Sequence, residues 1–418
     1  MCAIVAVQWP GGDRTFHYDD FHSIVHNPHI RAFESVPLFF VDPSQFSLDE
    51  NQSMYRPVVL TSYAINYALD GLEVRGYRAM NIAIHVLNAV LVLALVRRLY
   101  PSQIVVWVSS LFFSFHPLAV ETVHYVSSRS ESLMALGALS ALWSYVRWSE
   151  TQSKRLFFLF SVLSFAFSLL SKSVGCVVLV LMPLCDWLLG RPILQRIRVQ
   201  VVHWTLFGLY LFMSHQIVGK ALGSPARSFD VQFWTQIKAC LYYVWLVLIP
   251  VDLSAEHQFF VSQSPLETAV LLSGLCVLSL GIVSLMQASR SSVFGLCWWT
   301  ISLIPASAVP LIVLVNEHRI YLALVGGGIV LGVILDKAFK KDGRVALITI
   351  PVYTIALALL AVDRIEVWRD ELSLWSDATV KGPDMLKPHL RLGDALAEHS
   401  QWQHAEEAYL QALSLRPN

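Results

Sequence analysis

An all-α, polytopic membrane fold is predicted for this chain of 418 residues by three things: its composition, a succession of apolar stretches, and charge that alternates between them. Hydrophobic residues make up 55% of the chain and charged residues only 14%, against roughly 25% charged in soluble domains. Mean hydropathy is +0.55. The chain therefore reads as an integral membrane protein. Its 30 basic and 30 acidic side chains cancel, so no global field attracts nucleic acid or an acidic partner, and only local charge placement is informative. The cysteines, Cys2, Cys176, Cys185, Cys240, Cys276 and Cys297, fall in apolar stretches without CxxC or His-rich spacing. No disulfide framework or zinc site is implied.

Residues 1–10 begin with MCAIVAVQW, too short to cross about 30 Å of hydrocarbon, and read as the remnant of a first transmembrane helix. Residues 11–79 form a long polar segment containing Pro28, Pro37 and Pro43, expected to lie as a loop on the membrane surface. Within it, RTFHYDDFHSIVHNPHI places Asp19 beside Asp20 among aromatic and histidine residues. An acid pair ahead of Asn27-Pro28 suits turn and cap chemistry. It equally suits general-base chemistry.

From residue 80 to 363 apolar stretches follow at about 80–99, 104–119, 132–148, 155–171, 174–190, 199–218, 268–288, 292–309, 320–336 and 345–362. Basic residues recur at every second link: Arg97 and Arg98, then Arg147, Lys154 and Arg155, then Arg191, Arg196 and Arg198, then Arg290, and finally Lys337, Lys340, Lys341 and Arg344. Those links are expected in the cytoplasm. The stretch 237–250 would reverse every later link if it crossed, so it is expected to be re-entrant or interfacial. That leaves ten crossings, or about eleven with the first helix, and puts residues 11–79 and the C-terminal tail together on the outer side.

Residues 364–418 turn polar and helical. A period of 34 relates Trp375 to Tyr409, Ala378 to Ala412 and Pro383 to Pro417, and with Leu392, Gly393 and Ala405 this matches a tetratricopeptide repeat in which His389 occupies the usual first-helix Trp position. Little more than one unit is below the roughly three needed for independent stability. The segment is therefore expected either to dock on the membrane domain or to have been cut short.

By this topology the outer side collects Asp19, Asp20, Arg56, Glu121, Arg129, Lys172, His257, Glu317, His318 and Arg319. Lysine and arginine at helix ends commonly snorkel to the interface, which is the plain reading of Lys172 and Arg129. The NEHR cluster (Asn316 to Arg319) packs both charge signs and a histidine ahead of a span. Acids and bases gathered on one side suggest transfer chemistry on a lipid-borne phosphate, with cations holding the phosphate and a carboxylate taking the proton of an incoming hydroxyl. Two acids could also hold a divalent cation through oxygen ligands, but do not specify one. No Walker loop, GxGxxG, GxSxG or HExxH occurs.

FHYDDFHSIVHNPHI, RPVVLTSYAINYALDGLEVRGYRAMNIAIHVLNAVL, FHPLAVETVHYVSSRSE, LLSKSVG, NEHRIYLALVG and WRDELSLW together resemble the transmembrane and tetratricopeptide-repeat containing O-mannosyltransferases and their bacterial relatives, over nearly the whole chain. The resemblance implies the C-type glycosyltransferase fold, a polyprenyl- or dolichyl-phosphate sugar donor, and an acid of the first outer loop as base. It matches Asp19 and Asp20 to that loop's acidic pair, with Asp19 as its first acid, and NEHR to an acidic-Arg-Tyr motif before a late span. Donor-phosphate candidates are Arg319, His318, Lys172 and Arg129; Arg56, Glu121, Glu317 and His257 are further candidates. The expected function is transfer of a mannose-like hexose to a protein Ser/Thr or glycan hydroxyl on the extracytoplasmic side, whether periplasm or ER lumen. Two departures stand out: the near-absent first helix and the short repeat array. The competing readings are a membrane-anchored repeat scaffold for envelope assembly and a lipid-linked glycan polymerase or transporter.

Overall fold

A computed structural model describes the chain except residues 10, 13, 49–53, 152–154, 219–225, 287–288, 341–342 and 416–418. Lys154, Lys341 and Pro417 thus lie outside the described residues. Among those described, the regular elements are all helical. Val74–Leu99, Arg290–Ala308 and Gly343–Val367 are each long and apolar enough to cross a membrane. Gln103–Phe115 with Pro117–His124 makes a fourth if this pair, bent by 51°, is counted as one span. The other apolar stretches are also helical, and among the described residues each is shorter or less apolar than these. The bend has a local cause. A residue before proline is pushed out of the helical region, and His116 accordingly takes φ −67°, ψ 131° while its Nδ1 accepts from Leu118 N at 3.2 Å.

Lipid contact explains which apolar groups stay uncovered. On Gly343–Val367 the residues Leu347, Ile348, Val352, Ile355 and Leu359 are exposed, a helical spacing that makes one continuous apolar stripe. Against one another the helices pack through small residues, because hydrocarbon supplies no hydrophobic drive and close approach must supply dispersion instead. A Cβ at Gly137 would come within 2.7 Å of Ser168 N, so Arg129–Thr151 lies directly on Arg155–Ser171. Likewise Gly326 of Ala323–Ala338 meets the backbone of Gly295 and Trp299.

The links gather on two opposite faces. On one, Arg98 and Arg147 meet Glu150 at 2.9 and 3.3 Å, Arg191 pairs with Asp186 at 3.5 Å, and Tyr100 Oη donates to Ser291 O at 3.1 Å. On the other lie the first loop and the links that begin at 117, 172, 249 and 309, joined by the contacts described below. Phe229–Leu248, which holds most of the 237–250 stretch, is a continuous helix along this second face. Gln232 donates to Ser307 O and Val309 O at 2.8 and 3.3 Å, and Tyr243 Oη meets Asn316 O at 3.5 Å. The helix runs without reversal from Phe229 to Leu248.

The C-terminal helices Glu371–Lys381, Leu386–Glu398 and Trp402–Leu415 dock on that same face. Trp368 and Trp375, 2% exposed each, enter a cluster with Tyr125 and Val120 of the membrane domain. Gly137→Val tests the close helix contact: it should destabilise the purified protein on the scale of overpacking, about 1–3 kcal/mol, read as a lowered thermal midpoint. Gly281→Val, where nothing lies within 4 Å, is the control and should leave the midpoint unchanged.

Candidate active site

The two adjacent carboxylates have opposite surroundings. Asp20 is fully buried: its Oδ1 accepts from Ser127 N at 2.7 Å and Ser127 Oγ at 2.5 Å, and its Oδ2 from His17 N at 3.0 Å. Asp19 keeps 42% of its side chain exposed, with His22 Nε2 at 3.6 Å from Oδ1 and its backbone N–H donating to Tyr125 Oη at 3.2 Å. The split begins one residue earlier. Tyr18 has φ of +40°, a region bulky residues rarely visit and one that clusters at functional sites. Its ring is held by Lys387 Nζ at 4.1 Å and Arg391 Cζ at 4.9 Å from the centroid. Asn27 does the turn work expected of the Asn-Pro pair, donating to Ser23 O, Gln45 O and Phe46 O.

Burial, the largest influence on Asp20, raises its carboxyl to about 6 against the hydrogen bonds of Ser127 and His17. Burial also acts to raise Asp19, but His22, Tyr125 and Lys387 outweigh it and hold that carboxyl below its ordinary range. Tyr125 is pushed well above its ordinary value by burial and by the two aspartates. At neutral pH Asp19 is therefore an ionised acceptor beside a protonated phenol.

Behind Asp19 stands a row of cations. Arg56, at the start of Pro57–Asp70, is within electrostatic reach of Asp19 and Glu131. Lys172 pairs with the buried Glu131 and is within reach of both Arg56 and Arg319. Arg319 is fixed by its own link, Nη1 donating to Leu314 O at 3.1 Å and Nη2 to Val313 O at 2.9 Å. His318 reaches Glu121 Oε1 through Nδ1 at 2.7 Å. Three cations, Arg56, Lys172 and Arg319, stand against two buried carboxylates, Glu131 and Glu121, which leaves positive charge in excess, and Arg and Lys suit phosphate oxygens.

Three candidates lie apart from this row. Arg129 has no exposed surface and spends its guanidinium on Asn81 Oδ1 at 2.6 Å, Asn66 Oδ1 at 2.7 Å and Tyr77 O at 2.9 Å, between the rings of Tyr63 and Tyr77. That is a clamp joining three helices, so the expectation that Arg129 holds a phosphate is corrected by burial and saturation. Glu317 is also fully buried, 3.2 Å from Arg364 Nη2 and 3.5 Å from His257 Nε2, and ties its link to the C-terminal segment. Sequence reasoning passed over Glu131, Tyr125, His22 and Ser127. Glu131, in the SSRSE run two residues after Arg129, was the legible signal. Among the described residues no three His, Cys, Asp or Glu side chains group to hold a metal ion, and the donors around Asp20 leave the pair no shared cation cradle.

Comparison with known proteins follows the same lines. A family model described as dolichyl-phosphate-mannose-protein mannosyltransferase matches residues 48–218. The chain is 26% identical to Protein O-mannosyl-transferase F38B6.6 of Caenorhabditis elegans, over 98% of this chain and 60% of that protein. It is 22% identical to Protein O-mannosyl-transferase TMTC3 of Mus musculus, over 100% of this chain and 51% of the relative. To Protein O-mannosyl-transferase TMTC4 of Homo sapiens it is 25% identical, over 92% and 62%. The chain thus spans between half and two thirds of the length of these relatives. No solved structure matches it.

Asp20 offers a structural test independent of chemistry. An amide has one acceptor oxygen and turns its NH2 toward donors, so Asp20→Asn should cost about 1–3 kcal/mol, seen as faster proteolysis at Arg14 and Arg31, while Asp19→Asn leaves the loop protected. Folding raises the Asp20 carboxyl from 3.8 to about 6, so the folded loop binds that proton more tightly than the unfolded chain. Its contribution is full below about pH 4, declines as the pH rises through about 6 and is level above. The Asn variant lacks that slope.

Proposed function

We propose that the chain is a member of the transmembrane and tetratricopeptide-repeat containing O-mannosyltransferase family, in keeping with the family match over residues 48–218, and that it transfers mannose from a dolichyl- or polyprenyl-phosphate donor to a protein Ser/Thr hydroxyl. The observation that carries this reading is a half-exposed, ionised Asp19 within electrostatic reach of Arg56, which is followed in turn by Lys172 and Arg319. The acceptor oxygen attacks the anomeric carbon as the bond from that carbon to the phosphate oxygen breaks. The hydroxyl proton passes to Asp19, and the lipid phosphate departs with the electron pair. Base assistance of this kind contributes roughly 10² to 10⁴ in rate. Arg319, Lys172 and Arg56 stabilise the leaving phosphate, and Glu121 orients His318 beside them. Asp20 holds the loop; it does not take the proton. The face carrying Asp19 is extracytoplasmic on this reading, since the opposite links carry the excess of Arg and Lys.

Turnover and donor binding in reconstituted membranes separate the roles. Asp19→Asn should abolish transfer with donor affinity retained. Arg319→Lys should weaken donor binding by about 1.5–3 kcal/mol, the value of a charge-assisted contact. Full activity in Asp19→Asn would refute the base assignment. Sidedness has its own check: single cysteines near Asp20, His257 and Gly393 should label from outside, and those near Arg98 and Arg196 should not.

A further inference from the structure

We propose that a second anion site, for a phosphate group, lies between the segment that follows the first helix and the start of Val74–Leu99. The place is a cavity of about 210 Å³ bordered by Trp9, Gly11, Gly12, Arg14, Arg75 and Arg78. It has room for a phosphate and a few waters, each about 30 Å³. Arg78 is 4% exposed. Its Nη2 is taken by Thr15 O at 3.2 Å, His17 Nε2 at 3.1 Å and Trp368 O at 3.0 Å, but Nε and Nη1 are buried without a hydrogen-bond partner. Arg14 shows the same deficit: its side chain is 3% exposed, Nη2 pairs with Glu366 at 2.7 Å and Nη1 with Ile365 O at 3.0 Å, yet Nε has no partner.

Buried charged donors left unmet are costly, and two neighbouring guanidinium groups repel one another. An oxyanion answers both. The glycines that border the cavity leave it open: nothing lies within 4 Å of a Cβ built on Gly11 or Gly12, Gly12 has φ +81°, a conformation that favours glycine, and Gly11 O accepts from Arg14 Nη2 at 3.3 Å. Trp9, 51% exposed, stands at the mouth, as an amphipathic ring does at a membrane surface. The site lies where Val74–Leu99 begins and Gly343–Val367 ends, the level at which lipid phosphates sit, and basic pockets between membrane helices take such head groups. It is separate from the cation row near Asp19. His17 stands between, giving its backbone N–H to Asp20 and accepting from Arg78 through Nε2.

The test uses the full chain in phosphatidylcholine nanodiscs, with bound lipid read by native mass spectrometry. Phosphatidylglycerol should be retained by the unaltered chain, with affinity at least 10-fold lower in Arg78→Gln and measurably lower in Arg75→Gln. Arg319→Lys should retain it fully, which separates this site from the donor site. Competition by inorganic phosphate identifies free phosphate as a sufficient ligand; retention that inorganic phosphate does not disturb identifies the lipid phosphodiester. The proposal is overturned if neither ligand binds above the phosphatidylcholine background, or if Arg78→Gln and Arg75→Gln both bind as well as the unaltered chain.

Discussion

A carboxylate with no exposed surface is stable only when donors surround it, and Asp20 is met by three, two from Ser127 and one from His17. Those bonds fasten the first loop to the link between two membrane helices. Because His17 Nδ1 also reaches Glu371 at 2.8 Å, the C-terminal helices are fastened through the same residue. Loop, membrane domain and tail therefore meet at one buried polar node. Breaking it would release the backbone that carries Asp19, which owes its outward direction to Asp20 pointing inward.

The division of labour between the aspartates follows from burial. The aspartates are both helical, with Asp20 at φ −62°, ψ −29°, so their side chains leave the turn about 100° apart, and the positive φ of Tyr18 just before them sets which one faces inward. A buried carboxylate facing N–H and O–H groups makes a good anchor and a poor base, because nothing can approach its oxygens. A half-exposed one beside His22 and Tyr125 can be approached by a hydroxyl. The same logic distinguishes Arg129, saturated and enclosed, from Arg56 and Arg319, which retain open surface.

Charge also organises the molecule at larger scale. Polar links cannot lie in hydrocarbon, so they gather at the two faces, and each face satisfies its charges differently. The basic face uses short surface pairs such as Arg98 with Glu150. The loop face uses buried chains such as His257, Glu317, Arg364 and Asp377, which survive away from water because each member has a charged or hydrogen-bonding neighbour.

Composition and apolar spacing by themselves determined the helical membrane class, because hydrocarbon imposes that pattern on any sequence it dissolves. The 34-residue period likewise picked out Ala378 and Ala412 in the tail, and both are buried. The acid pair, Lys172 and the NEHR run were visible as chemistry out of place in an apolar chain. What one-dimensional pattern could not express was partnership. Glu131 lies 41 residues from Lys172, Ser127 lies 107 from Asp20, and Glu371 lies 354 from His17. Only the folded chain, by bringing such distant groups within hydrogen-bond reach, decided that Asp20 anchors, that Asp19 faces outward, that Arg129 is a clamp, and that the tail closes over the first loop.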